Sequence, residues 1–376
     1  MRISTQMLYQ TSNNDLTALQ SQILKLNQQV TAQQKVLLPS DDPVAAARAL
    51  DMAQTSALND QYKTNRQNAN SALSSVQGTL DSLTNMLTKL KSNVIAAGNA
   101  SYSNAERSNM ASEIKGNLNE VMGYANAQDG QGNYIFAGFK STTQPFTLDG
   151  SGGVTYNGDQ GAITLQVDST RQMDISASGQ AIFQGGGQDI FKTMTNLINT
   201  LSVPVTEAAN KADEIAANNF AYPTAGQFPI QDYKTQQATL DGMKPDDPGY
   251  QAQFTATAAA KLKADAADAA RTPIPGSQAA LNRNLAAFNT QIDSISSSVS
   301  TAKASIGARQ NELDNLDAAG EVNKENYTQT INNLLGRNLS DTSELISDLT
   351  LKQTYLSAAQ KVFVTTSGLT LLNYLK

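Results

Sequence analysis

The residues able to do chemistry in this chain are few in kind. Among 376 residues there is no histidine and no cysteine. That removes Ser-His-Asp and Cys-His nucleophilic sites, the usual zinc ligand sets and iron–sulfur ligation, each of which needs an imidazole or a thiolate. Acid–base work by aspartate and glutamate remains, as do nucleophilic serine and lysine, but no spacing suggests a cleft with paired carboxylates. Asp41 and Asp42 stand together yet lack the further oxygen ligands of a calcium loop. Asp42 is better placed as a helix N-cap, with Pro43 at the first helical position, where a missing N–H costs nothing. Gly130-Gln131-Gly132 lacks the third glycine of a dinucleotide loop and no strand precedes it, so turn chemistry accounts for it. Lys261, Lys263, Asp265 and Asp268 read as the solvated face of a helix. No catalytic residue, metal site or cofactor is expected.

What the chain has instead is patterned helix at both ends. Leu16, Leu19, Ile23, Leu26 and Val30 open it at alternating three- and four-residue spacing. Leu345, Leu349, Leu356, Ala359 and Phe363 close it, with Lys352 interrupting the seam and Leu371, Leu372 and Leu375 forming an apolar tip. Such spacing lays a narrow apolar stripe along one side of a helix, the seam of a coiled coil. The first segment, to about Leu38, carries Gln, Asn, Ser and Thr on its polar face rather than Lys and Glu, which suggests that this face also meets protein.

Between the ends the grammar changes twice. From Pro43 to about Gly98 a helix of roughly 80 Å carries Leu73, Val76, Leu80, Leu83, Leu87, Leu90 and Val94. An amphipathic partner follows, with Met110, Ile114, Leu118, Val121 and Ala125, lying antiparallel because the connection is short. From Gly130 to about Gly187 glycines are frequent and apolar alternation appears at Ile163, Leu165 and Val167, which predicts a small antiparallel β region. A short helix spans Ile190 to Leu201. Seven of the ten prolines fall between Val203 and Pro275 around an Ala-rich helix near Phe254–Ala270, a stretch that reads as a peripheral insertion. Helical stripes then return from Leu281 to Ile306 and on to Leu316, with a break expected at Gly320.

The fold class expected is mainly α: a long antiparallel helical bundle or coiled coil formed by the N- and C-terminal segments, with a small β-rich outer domain in the middle. Residues 1–42 and 340–376 would form a terminal axial domain, 43–130 and 277–339 a helical bundle, and 131–276 an outer mixed β/α domain including the insertion at about 203–275. The net charge of −6 argues against nucleic acid, which needs a Lys/Arg-rich face. No stretch approaches the ~18 apolar residues of a membrane span, and no apolar run of a cleaved secretion signal follows Arg2.

Beside these patterns stands a resemblance. Asp129-Gly130-Gln131-Gly132-Asn133-Tyr134-Ile135-Phe136-Ala137-Gly138-Phe139-Lys140, with Pro145-Phe146 after it, resembles the signature of the bacterial flagellar hook-filament junction (hook-associated protein 3) family, a flagellin-like family. Arg2–Met7, Pro39–Pro43, Val167–Phe183, Gly307-Ala308-Arg309-Gln310 and the closing helix resemble its other parts, in order. Filament flagellin shares the plan, but usually has an Asp-Asp-Ala-Ala type sequence where Asp41-Asp42-Pro43 stands and lacks the Tyr134–Phe139 run. The Val203–Pro275 stretch has no counterpart in the resemblance.

The resemblance implies a non-enzymatic adaptor: a homo-oligomeric ring between the hook-side junction protein and the flagellin filament, extracellular in the bacterial flagellum. It further implies type III export without a cleaved signal peptide, with the help of a flagellar export chaperone. Filament flagellin is the alternative, and a carboxylate-dependent hydrolase a distant one. The striped residues named at both ends are the expected assembly interface. Because a helix of a few turns is marginal by itself, residues 1 to about 40 and 340 to 376 are expected to be largely unfolded in the monomer and to become helical on assembly.

Overall fold

The computed structural model describes residues 5–149 and 153–374, and within the terminal helices it describes side chains from Met7 to Thr365 apart from Leu8. The elements in chain order are α1 (Thr5–Ala32), α2 (Pro43–Ala97), α3 (Asn104–Ala125), β1 (Phe146–Leu148), β2 (Val154–Tyr156), β3 (Thr164–Asp168), β4 (Arg171–Asp174), α4 (Gly179–Phe183), α5 (Ile190–Ser202), α6 (Glu207–Asn218), α7 (Pro229–Asp241), α8 (Tyr250–Ala270), α9 (Gln278–Leu335) and α10 (Leu339–Tyr374). The chain is mainly α, with long helices at both ends and a small strand-containing region between them. It divides into two compact units, residues 1–68, 166–171 and 312–376 in the first and residues 69–165 and 172–311 in the second.

The second unit holds the larger core. Leu73, Val76, Leu80, Leu83, Leu87, Leu90 and Val94 of α2 are buried, as are Leu281, Leu285, Ile292, Ile295, Val299 and Ile306 of α9. The two helices run antiparallel here, with Lys91 paired to Asp293 and Lys303 to Asp81. Gly98 follows the last residue of α2. Ser103 caps α3 by accepting from the Glu106 amide, and Glu106 closes a capping box by accepting from the Ser103 amide. The face α3 buries is not the full expected stripe: Ala111, Ile114, Asn117, Val121 and Ala125 are buried while Met110 and Leu118 are half-covered. α3 packs on α5.

The β region consists of two two-stranded sheets, β1–β2 and β3–β4. In the first, Phe146 pairs with Tyr156 and Leu148 with Val154, antiparallel. Phe136, Phe146, Tyr156, Phe183 and Phe191 pack ring to ring with centroids 5.0–6.0 Å apart. The Asp129–Lys140 run is built from turns: the Asp129 carboxylate accepts from the Gln131 and Asn133 amides, and Asp159 accepts from the Phe139 amide. Gly138 has φ +67, and a Cβ there would stand 2.2 Å from the Asp159 carboxylate.

In the Pro-rich stretch, α6, α7 and α8 share a small core of Ala217, Ile230, Ala264 and Ala267, with Phe220, Tyr222 and Tyr233 against it. Asp213 and Arg271 meet beside it as a two-pronged ion pair at 2.8 and 3.0 Å, each side chain only 7% exposed. Burial pushes the Asp213 carboxyl up, but the Arg271 hydrogen bonds, the Ile274 amide and the Arg271 charge together hold it below the usual carboxylate range.

In the first unit, α2 and α9 again run antiparallel. Asp60 pairs with Lys324 and Lys63 with Glu321, while Arg66, 2% exposed, donates to Asp317 and to the Val167 carbonyl. The break expected at Gly320 is absent: α9 continues to Leu335. Gly320 serves packing instead, since it is buried, its carbonyl accepts from the Asn59 amide side chain, and a Cβ would stand 2.5 Å from Arg66 Nη2. The helix bears the propensity cost of glycine, ~1 kcal/mol, to let a buried arginine approach.

Candidate assembly interface

The expected interface residues lie on α1 and α10. These helices pack on one another with Tyr9 and Phe363 in edge-to-face contact, centroids 5.9 Å apart at 85°. Leu16, Leu19, Ile23, Leu26 and Val30 all face this pairing, and all are only half-buried. Opposite them Leu345 is buried, at 3% exposed, while Leu349, Leu356, Ala359 and Phe363 are half-buried. Lys352 is half-buried within the same row. One helix covers a stripe of this width only on one side, so the pair leaves apolar surface open along its length. Leu371 and Leu372 fall where only the helix backbone is described, and Leu375 lies outside the described residues.

A groove of about 610 Å³ opens between the two helices, lined by Tyr9, Leu16, Leu19, Ala359, Val362 and Phe363 among others. Val362, 65% exposed, belongs to a second stripe on α10 formed by Leu351, Tyr355, Ala358 and Val362, every member of which is exposed. Its four-three-four spacing is present in the sequence, and it lies roughly 100° around the helix from the covered row. Reading only the longest stripe missed it; scanning every helical face would have found it.

The interface is closed at one end by a knot that spacing does not reveal. After α1 the chain turns through Gln33, with φ +54; the Gln34 amide bonds back to Gln29, and the Lys35 and Val36 amides bond to the corner between α9 and α10. Lys35 N donates to the Leu335 carbonyl at 3.0 Å and Val36 N to the same carbonyl at 3.2 Å. Gln29, 7% exposed, donates to the Lys35 carbonyl, Arg337 donates to Gln34 at 2.9 Å, and Lys35 pairs with Glu344 at 3.0 Å. Gly336 has φ +63, and a Cβ there would meet the Lys35 Cβ at 2.5 Å, so this corner requires glycine twice over.

The two aspartates are fully engaged in backbone geometry. Asp41 accepts from the Leu37 and Leu38 amides at 3.1 and 3.0 Å and from Lys25 at 2.6 Å. Lys25 first, and then the Leu38 amide, hold its carboxyl below the ordinary range. Asp42 accepts from the Val44 and Ala45 amides at 3.1 and 2.9 Å, and Pro43 is the first residue of α2. Among the described residues no group of three His, Cys, Asp or Glu is placed to hold a metal ion, and no helix is long and apolar enough to cross a membrane.

The bacterial flagellin N-terminal helical region family matches residues 3–141. Flagellar hook-associated protein 3 of Salmonella typhimurium is 29% identical over 374 residues, covering 99% of this chain and 98% of its own length. The Escherichia coli protein of the same name is 28% identical over 371 residues, with 99% and 98% covered. The chain is similar to flagellar hook-associated protein 3 over nearly the whole length of both. A crystal structure of the flagellar junction protein from Legionella pneumophila, 18% identical, superposes with a TM-score of 0.52 over 77% of this chain and 100% of that one. That last likeness is one of fold. Its fold, like this one, is mainly helical.

Proposed function

We propose that this protein is a structural, non-enzymatic junction adaptor of the bacterial flagellum, polymerising between the hook-side junction protein and the flagellin filament. The observation that carries the reading is the end-to-end similarity to hook-associated protein 3, which leaves no large part of either chain unmatched. The half-covered α1–α10 pair supports it: a stripe left open in one chain is stabilised when neighbouring copies cover it, each buried Leu or Ile contributing on the order of 1.5–3 kcal/mol. In this reading the copies form a closed ring. The chain reaches it through the flagellar export channel without a cleaved signal, escorted by an export chaperone that shields the terminal helices.

Deletion and complementation test the reading, with electron microscopy of hook ends as readout. Cells lacking the protein should carry hooks without filaments and shed flagellin, and the restored protein should sit as a thin band at the junction. Filament flagellin is the other outcome: purified protein that grows into long fibres without a hook end would establish it.

A further inference from the structure

We propose that Arg107 is the keystone that couples the α6–α8 stretch to the helical bundle, fixing where the chain leaves for α6 and where it returns from α8. The proposal stands apart from the junction reading and does not depend on it. Arg107 is 3% exposed, and the groups it donates to are all uncharged. They are the Ala97 and Asn99 carbonyls and the Asn104 side-chain oxygen, each at 3.4 Å, and Gln278 Oε1 at 3.0 Å. A buried cation ordinarily needs a carboxylate; here the carbonyls at the end of α2, the negative end of its dipole, stand in for one.

Both side-chain partners reach on into the stretch. Asn104, the first residue of α3, accepts from the Val205 amide at 2.9 Å and donates to the Val205 carbonyl at 2.8 Å. Gln278, the first residue of α9, donates from its backbone amide to Asn210 of α6 at 2.7 Å and from Nε2 to the Gly98 carbonyl at 3.3 Å. Between them the Thr206 amide donates to the Gly276 carbonyl at 3.0 Å, joining the outgoing chain to the returning one. A guanidinium has donors only. Asn104 and Gln278 must therefore turn their oxygens toward Arg107, which leaves their NH2 groups facing the Val205 and Gly98 carbonyls. Arg107 thus positions both ties. The α6–α8 helices have their own core around Ile230 and Ala267, so what Arg107 governs is their attachment and not their folding.

Amide hydrogen exchange on the full-length protein, each rate taken relative to the intrinsic one, tests this. In Arg107→Met the Val205, Thr206 and Gln278 amides should lose protection by about tenfold or more, while Ala267 in the α6–α8 core and Leu83 in the bundle change by less than about twofold. Asn104→Ala, at an exposed position, should expose the Val205 amide and leave that of Gln278 protected. Added to Arg107→Met it should cost little more at Val205, because the two residues act through one chain of contacts. Unchanged protection at Val205 and Gln278 in Arg107→Met, losses at Ala267 and Leu83 as large as those at Val205, an Asn104→Ala protein with Val205 still protected, or full additivity of the two substitutions would overturn the proposal.

Discussion

The Arg66 guanidinium lies against the α-carbon of Gly320, so near that a β-carbon there would stand 2.5 Å from Nη2. Arg66 is held by Asp317 and by the Val167 carbonyl and cannot move aside without leaving a buried cation unpaired. Gly320→Ala should therefore destabilise the first unit despite its better helix propensity, by about 1–3 kcal/mol, the usual cost of an unsatisfied buried polar group. Thermal unfolding checks this, and adding Arg66→Met should recover part of the loss. A Gly320→Ala protein more stable than the parent would show that Arg66 is free to swing away.

The stripes should matter through packing in the assembled state. Ile23→Asp and Leu356→Asp are expected to abolish incorporation at the hook end while the second unit, with its own core, stays folded by circular dichroism. Leu345→Ala should weaken the monomer as well, because Leu345 is buried; full Leu→Ala truncation costs roughly 2–5 kcal/mol. Normal filament attachment by either aspartate variant would rule out the α1–α10 pair as the interface.

The joint should also respond to acid. Asp41 has a folded-state pKa below its unfolded value, so the stability it contributes is complete above the ordinary Asp value of ~3.9 and is lost as pH falls through the folded value. Lys35, raised chiefly by its hydrogen bond to Glu344, contributes stability present below the ordinary Lys value of ~10.4 and lost as pH rises through the folded value. Protection at Val30, taken relative to the intrinsic exchange rate at each pH, should therefore be insensitive to these two titrations between about pH 5 and 9 and fall below about pH 4. In Asp41→Asn the acid loss should shrink. An unchanged acid profile in that variant would remove Asp41 from the account.

The α6–α8 stretch should depend on the buried Asp213–Arg271 pair. Asp213→Ala leaves Arg271 buried with only the exposed Asp268 carboxylate, 2.7 Å away, as partner, so the loss should fall at or below the roughly 3–5 kcal/mol of a fully broken buried pair. Limited proteolysis should then cut within α6–α8 while α2 and α9 resist. Replacing both partners, Asp213→Leu with Arg271→Met, should restore much of the resistance, since apolar groups of similar volume commonly match a buried ion pair. Equal resistance in the single variant and the parent would mean that the small core around Ile230 suffices.

Much of the fold was legible in spacing. Leu73 to Val94 on α2 and Leu281 to Ile306 on α9 are rows at helical period, and a long row of Leu and Ile has no low-energy place but a helix–helix core. The terminal stripes were equally plain. Legibility failed where a residue's role depends on what approaches it from elsewhere in the chain. Gly320 reads as a break by propensity, but tertiary approach of Arg66 outweighs a propensity term of ~1 kcal/mol. Met110 and Leu118 read as core, but the face of α3 that is buried carries Ala111, Ile114, Asn117 and Val121 instead.

The sequence by itself determined that the long striped segments are helical, which of their faces are apolar and that imidazole and thiol chemistry are absent, because these follow from local periodicity and composition; α6 and α7, which carry no long stripe, were not legible in it. Tertiary structure alone decided how far each stripe is covered. It also decided that Lys35 and Val36 meet Leu335 and Gly336 to close one end of the terminal pair, and that Leu351 and Tyr355 stand exposed beside it. Coverage is a property of two surfaces at once, and no spacing within one segment reports the distance to a partner some three hundred residues away.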